Sequence, residues 1–210
     1  NSSWAGGLDA VFAGTAGTVT IADGFTADPS GLDFQVDGYL INANGTGNLA
    51  ITGDTDINVA TGTATIDAPI TGTGVPIKVG AGTLVLTGAN TYTGGPTVKA
   101  GTLDVDGGSI THTGIGVDMV VGDTNGDDGT LLVQNAGVVS IWRGSVGDDA
   151  GSMGTATVTG GGSQWNISAG LTVGDSGTGT LLVQNAGEVN SDAGVVGRFA
   201  GSEGTVTVTG

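Results

Sequence analysis

Four stretches of this chain combine residue types that could do chemistry. Gly174-Asp175-Ser176-Gly177 spells the sequence around the nucleophile of some serine proteases. Such a serine needs a base within hydrogen-bond reach and a third group that orients the base. The sequence has a single histidine, His112, in an unrelated Ser-Ile-Thr-His-Thr-Gly segment. Asp123, Asn125 and Asp127 alternate as in the opening of a calcium loop, where successive oxygens converge on one cation. Asp128 stands where such a loop turns on a glycine, and Gln134 where a bidentate glutamate would close it. Arg143 and Arg198 are the cations that a lyase could use beside an acidic calcium site. Trp142 in Ser-Ile-Trp and Trp165 in Ser-Gln-Trp could be exposed platforms for a sugar or a receptor, or could close a core.

The repeats around these residues decide most of the readings. Gly129–Gly137, GTLLVQNAG, recurs letter for letter at Gly179–Gly187, and Gly144–Gly160 recurs with changes at Gly194–Gly210. Val121-Gly122-Asp123, Val146-Gly147-Asp148, Val173-Gly174-Asp175 and Val196-Gly197-Arg198 mark a shorter beat of about twenty-five residues. In that beat Ser176 corresponds to Thr124 and Asp149, which identifies it as a corner residue and not a nucleophile. Arg143 and Arg198 fall at different places in the repeat and share no obvious acidic cluster, so no lyase site is expected. The aspartate loop reads as a solvated turn, with Asp123, Asn125 and Asp127 as the weak calcium candidates and no other cofactor expected. Asn135 and Asn185 lie two coils apart and read as turn formers.

Composition narrows the classes further. Glycine supplies 44 of 210 residues, about three times ordinary usage, without a Gly-X-Y order. The chain is nevertheless 38% hydrophobic, unlike a disordered glycine-rich linker. Twenty acidic residues face only Lys78, Lys99, Arg143 and Arg198, for a net charge of −16. Four scattered cations make no footprint for nucleic acid or an anionic membrane. No cysteine is present, which excludes disulfide and thiol chemistry. The first ten residues are not a signal peptide, and Gly210 stops where the earlier copy continues as Gly161-Gly162-Ser163-Gln164-Trp165. The first point leaves either a mature chain or an excised fragment, and the second leads to the expectation of a fragment.

The elements that carry these residues read as short strands. Helical periodicity is absent, because glycine or threonine interrupts every candidate window. The theme Gly-Thr-Φ-x-Φ, with Φ apolar, appears at Gly17, Gly62, Gly82, Gly101, Gly129, Gly154, Gly179 and Gly204, and Gly47 begins a close variant. Each theme places two aliphatics on one face, and β-branched threonine suits the other. A sandwich gives no reason for the repetition, and a propeller blade would need the whole fifty-residue unit. The half-repeat fits an all-β fold, a single-stranded right-handed parallel β-helix of about eight to ten coils, ~40–50 Å long at ~4.8 Å per coil. Its expected core runs from Val19 and Ile21 through Leu84, Leu86, Leu131 and Val133 to Val206 and Val208. Residues 1–60 read as irregular coils, 61–106 as a distinct middle and 107–210 as regular coils. Trp4, Phe12, Phe25, Phe34 and Tyr39 concentrate aromatics in the first section and read as packing in a broader cross-section.

The segment from Thr63 to Val105, with the core GAGTLVLTGANTYTGGPTVKAGTL from Gly80 to Leu103, resembles the passenger-associated transport repeat of bacterial autotransporters. The stretches before it, and the VGD…GTLLVQNAG repeats after it, are similar to sequences in adhesin-like passengers. Pro96 departs from the family, which usually has threonine there. The resemblance implies a β-helical passenger exported to the Gram-negative cell surface, or secreted, through a C-terminal outer-membrane barrel. It implies a non-enzymatic structural or adhesive role toward a host or bacterial receptor or glycan. A polysaccharide-lyase-like enzyme and a pure stalk are the alternatives, and Trp142 and Trp165 are the weak contact candidates.

Overall fold

The computed structural model describes residues 6–112 and 114–210. Trp4 lies outside the described residues. Twenty-four strands and no helix occur among the described residues, and every strand pairing is parallel. The chain winds as a β-helix of about eight coils, with three strand faces per coil. The first face opens with Asp9–Phe12 and passes through Gly31–Phe34, Asp54–Val59, Val75–Val79, Thr97–Val98, Asp118–Val121 and Arg143–Val146. The second is a nine-stranded sheet from Thr18–Ile21 to Glu203–Thr209.

The third face is broken. Thr26–Ala27, Asn48–Ile51 and Ile70–Gly72 form a separate three-stranded sheet. Ala89–Asn90 then starts a new ladder through Ser109–Thr111 and Val138–Ile141. In the last coils, the corner between third and first faces straightens into single long strands, Gln164–Val173 and Glu188–Val196, with a register irregularity between Ile167 and Gly170. The Gly47 variant, Asn48–Ile51, belongs to this third face and not with the other Gly-Thr themes. Tyr39–Ala43 occupies its place on the second face.

Like stacks on like. Thr63, Thr83, Thr102, Thr130, Thr155, Thr180 and Thr205 form one outward column on the second face. Beside it, Leu84, Leu103, Leu131, Ala156 and Leu181 form an inward column and are buried. Leu86, Val105, Val133, Val158 and Val183 form the next. Val206 and Val208 continue these columns but are 43% and 73% exposed, because no further coil covers them. Val19 is only partly buried, for the same reason at the other end.

The repeated glycines follow from corner geometry. A Cβ on Gly154 would lie 2.1 Å from the Val121 carbonyl oxygen and 2.5 Å from the Gly147 nitrogen. Gly129, Gly179 and Gly204 meet Val98, Val146 and Val173 in the same way. The VG and GT glycines of the repeat therefore face one another where two backbones approach too closely for any side chain. At the opposite corner Asn135 and Asn185 hold φ of 52°, as turn residues, and each is followed by an alanine that is also left-handed. In the first coils Phe12 stacks on Phe34 at 4.5 Å, and Tyr39 tilts against both while its hydroxyl donates to Ala13 O. These three are core packing, while Phe25 is exposed.

Candidate functional site

The corner between the first and second faces brings the acidic residues of the repeat into line. Asp148 N donates to Gly122 O, Asp175 N to Gly147 O and Arg198 N to Gly174 O. Asp123, Asp148, Asp175 and Arg198 thus occupy one column on successive coils. Cations close both ends: Lys99 Nζ lies 3.6 Å from Asp123, and Arg198 donates to Asp175 at 3.0 Å. The Arg198 guanidinium also sits 5.0 Å from the Phe199 ring. Burial raises the proton affinity of the central Asp148. The Ser145 hydroxyl, which donates to it, opposes that shift, and Asp175, Asp149 and Asp123 add to it. The sequence carried the signal for this column in its VGD, VGD, VGD, VGR beat. No single strand carries it, because the cluster forms between coils.

Ser176 takes the corner place expected of it. Its N–H donates to Asp148 O at 2.7 Å, one coil above the bond from Asp149 N to Asp123 O. His112 is on another coil and face, buried edge-on to Tyr92 with ring centroids 5.0 Å apart and Nε2 without a partner. The structure brings no base to Ser176. In the aspartate loop, one Asp127 oxygen accepts the Thr124 N–H at 2.9 Å and its hydroxyl at 3.0 Å, and Asp123 pairs with Lys99. Among the described residues no group of three or more acidic or histidine side chains is arranged to hold a metal ion.

The two tryptophans do not stack. Trp165 is in register with Val139 on the third face, whereas Trp142 lies three positions further along, at the corner. Trp165 is fully buried, so it serves the core and offers no platform. Its indole N–H has no hydrogen-bond partner. Trp142 remains half-buried at the outer edge, beside exposed Arg143.

A second group of polar side chains, not singled out in the sequence, is buried inside the middle coils. Lys78 is 2% exposed and donates to Val79 O, Gly80 O and Ala100 O at 2.9, 2.8 and 3.0 Å. Burial lowers its pKa to about 8. Asn90, wholly buried, accepts from Ile70 N and donates to Gly88 O and Ser109 O, each at 3.0 Å. Tyr92 is buried with its hydroxyl unpartnered, and burial pushes its ionisation up; burial lowers the pKa of His112 beside it. A cavity of about 10 Å³, room for one water at most, lies beside Lys78 and Tyr92. On the outer face, Asp104 accepts from Gln134 at 2.8 Å, and burial raises its pKa to about 6. Pro96 sits at a corner, just before Thr97–Val98, and accepts the Val120 N–H through its carbonyl.

These middle coils coincide with a known repeat. Residues 77–105 match the family described as the passenger-associated transport repeat. Over 159 residues, 65% of the chain, the sequence is 37% identical to the adhesin BmaC autotransporter of Brucella suis biovar 1 (strain 1330). The chain spans about 4% of that protein's length. No solved structure matches the chain. With a transport repeat built into a parallel β-helix, and similarity to an adhesin autotransporter running well beyond that repeat, the chain is similar to a segment of an adhesin-like autotransporter passenger.

Proposed function

We propose that this segment is a non-enzymatic, rod-shaped part of an adhesin that presents contact surfaces to a host or bacterial receptor. The observation that carries the reading is the 37% identity over 159 residues to a protein described as an adhesin. A passenger of this family is displayed on, or released from, the Gram-negative cell surface by way of the outer membrane. In the parent protein we place a C-terminal outer-membrane barrel as its anchor.

The chemistry of the rod favours particular partners. A net charge of −16 repels nucleic acid and anionic surfaces, and leaves neutral glycans or basic protein patches. Of Trp142 and Trp165, only Trp142, half-buried beside Arg143, keeps surface for such a contact. The lyase alternative finds less support, since the Arg198 guanidinium is engaged by Asp175. Beads coated with the purified segment should bind epithelial cells or members of a neutral glycan array, and Trp142→Ala should weaken that binding. Binding no greater than that of beads coated with an unrelated β-helix would overturn the adhesive reading and leave a stalk.

A further inference from the structure

We infer that Lys78 and Asn90 together form a register lock that fixes how the middle coils stack on one another. A lock is needed because the aliphatic pattern alone permits error. Side chains alternate with period two, so a slip of one residue turns the core outward, whereas a slip of two restores aliphatic on aliphatic. Leu84 and Leu86 stack on Leu103 and Val105, and a two-residue slip would leave an aliphatic still facing an aliphatic.

Both side chains interrupt otherwise apolar columns. Lys78 stands between Ile57 and Val98, in a line that continues as Val121, Val146 and Val173. Asn90 heads the line Ile110, Val139, Trp165 and Val189. Each uses its full donor set on backbone carbonyls. The three ammonium protons of Lys78 reach two carbonyls of its own coil and Ala100 O of the next. The Asn90 amide joins three coils, through Ile70 N, Gly88 O and Ser109 O. It does so where the third face breaks between Ile70–Gly72 and Ala89–Asn90, so a side chain takes over from the interrupted ladder. A slipped coil would leave a buried ammonium and a buried amide without partners, a penalty that apolar contacts lack. Fully satisfied buried polar groups of this kind specify an arrangement even when they add little net stability.

Cysteine pairs read the register directly, because the chain has no cysteine of its own. Thr83 and Thr102 are direct partners, so Thr83→Cys with Thr102→Cys reports the native register. Thr83→Cys with Asp104→Cys reports a two-residue slip, since that diagonal is about 8 Å in the native stack and too long for a disulfide. With Lys78 and Asn90 intact, only the first pair should oxidise. With Lys78→Met and Asn90→Leu added, the second pair should also close, and amide protection over residues 83–106 should fall roughly tenfold, with residues 178–184 unchanged. If the double variant does not fold, Lys78→Met alone carries the test, since methionine fills similar space without a polar atom. A folded variant that forms only the native cross-link and keeps its protection would overturn the lock.

Discussion

Gly144 supplies the space that Trp165 occupies: a Cβ on Gly144 would lie 2.8 Å from Cζ2 of the indole. The two residues sit on different faces of the same coil, and the glycine lets the largest side chain of the core cross the interior. Trp165→Ala should therefore cost about 3–5 kcal/mol, and Gly144→Ala about 1–3 kcal/mol through overpacking. Combined with Trp165→Leu, Gly144→Ala should cost much less than it does alone. Equal costs of Gly144→Ala in both backgrounds, measured by urea unfolding, would show that the two do not share one space.

The seam between corner glycines predicts a sharp positional contrast. Gly154→Ala drives a methyl group into the Val121 carbonyl, and neither backbone can yield without breaking its ladder. A loss on the order of 3–5 kcal/mol is expected. Gly161→Ala meets nothing within 4 Å and should stay within about 0.5 kcal/mol of the parent. Similar melting temperatures for the two variants would be incompatible with the seam.

The sequence revealed the coils because their repetition is local: each Gly-Thr theme carries its own inward and outward residues. Thus the inward places of Leu131, Val133, Leu181 and Val183, and the turn role of Asn135 and Asn185, were legible before any fold was known. What lies between coils was not. The Asp123–Asp148–Asp175 column needs three repeats to be superposed, and the interior placement of Lys78 needs the register of Val75–Val79 against its neighbours. Lysine at an inward strand position contradicts the usual rule of burial, so periodicity alone places it in solvent. Trp142 and Trp165 follow similar Ser-Ile and Ser-Gln pairs, but register makes Val139, three residues before Trp142, the partner of Trp165.

Arg198 closes the carboxylate column, so reversing its charge should be felt along it. Arg198→Asp would set four carboxylates in line and remove the 3.0 Å contact to Asp175. The pair is partly exposed, which limits the loss to about 0.5–1 kcal/mol at low salt. That loss should shrink in molar salt, where the Debye length is about 3 Å. A salt-independent loss would assign Arg198 a packing role on Phe199 instead.

In the aspartate loop Asp127 accepts from Thr124, and Asp123 lies 3.6 Å from the Lys99 ammonium. Melting with calcium and with a chelator should therefore coincide. A calcium-dependent rise that Asp127→Ala abolishes would instead make Asp123, Asn125 and Asp127 ligands.

Asp104 makes stability depend on mild acidity. Burial chiefly raises its pKa to about 6 from 3.8; the Gln134 hydrogen bond opposes this and the neighbouring Asp106 charge adds to it. A carboxyl with a higher pKa in the folded chain than in the unfolded chain binds its proton more tightly when folded. Its favourable contribution is complete below about pH 4 and disappears as pH rises through about 6. The shift corresponds to at most about 3 kcal/mol, because one pKa unit is 1.36 kcal/mol. Asp104→Asn keeps an oxygen for Gln134 and removes the titration, so it should stabilise the rod most near pH 7.5 and hardly at all near pH 4. The difference between variant and parent isolates this residue from Asp23, whose hydrogen bonds from Thr46 shift its pKa the opposite way. A stability difference that stays flat from pH 4 to 7.5 would mean that the Asp104 carboxyl is solvated in the folded rod.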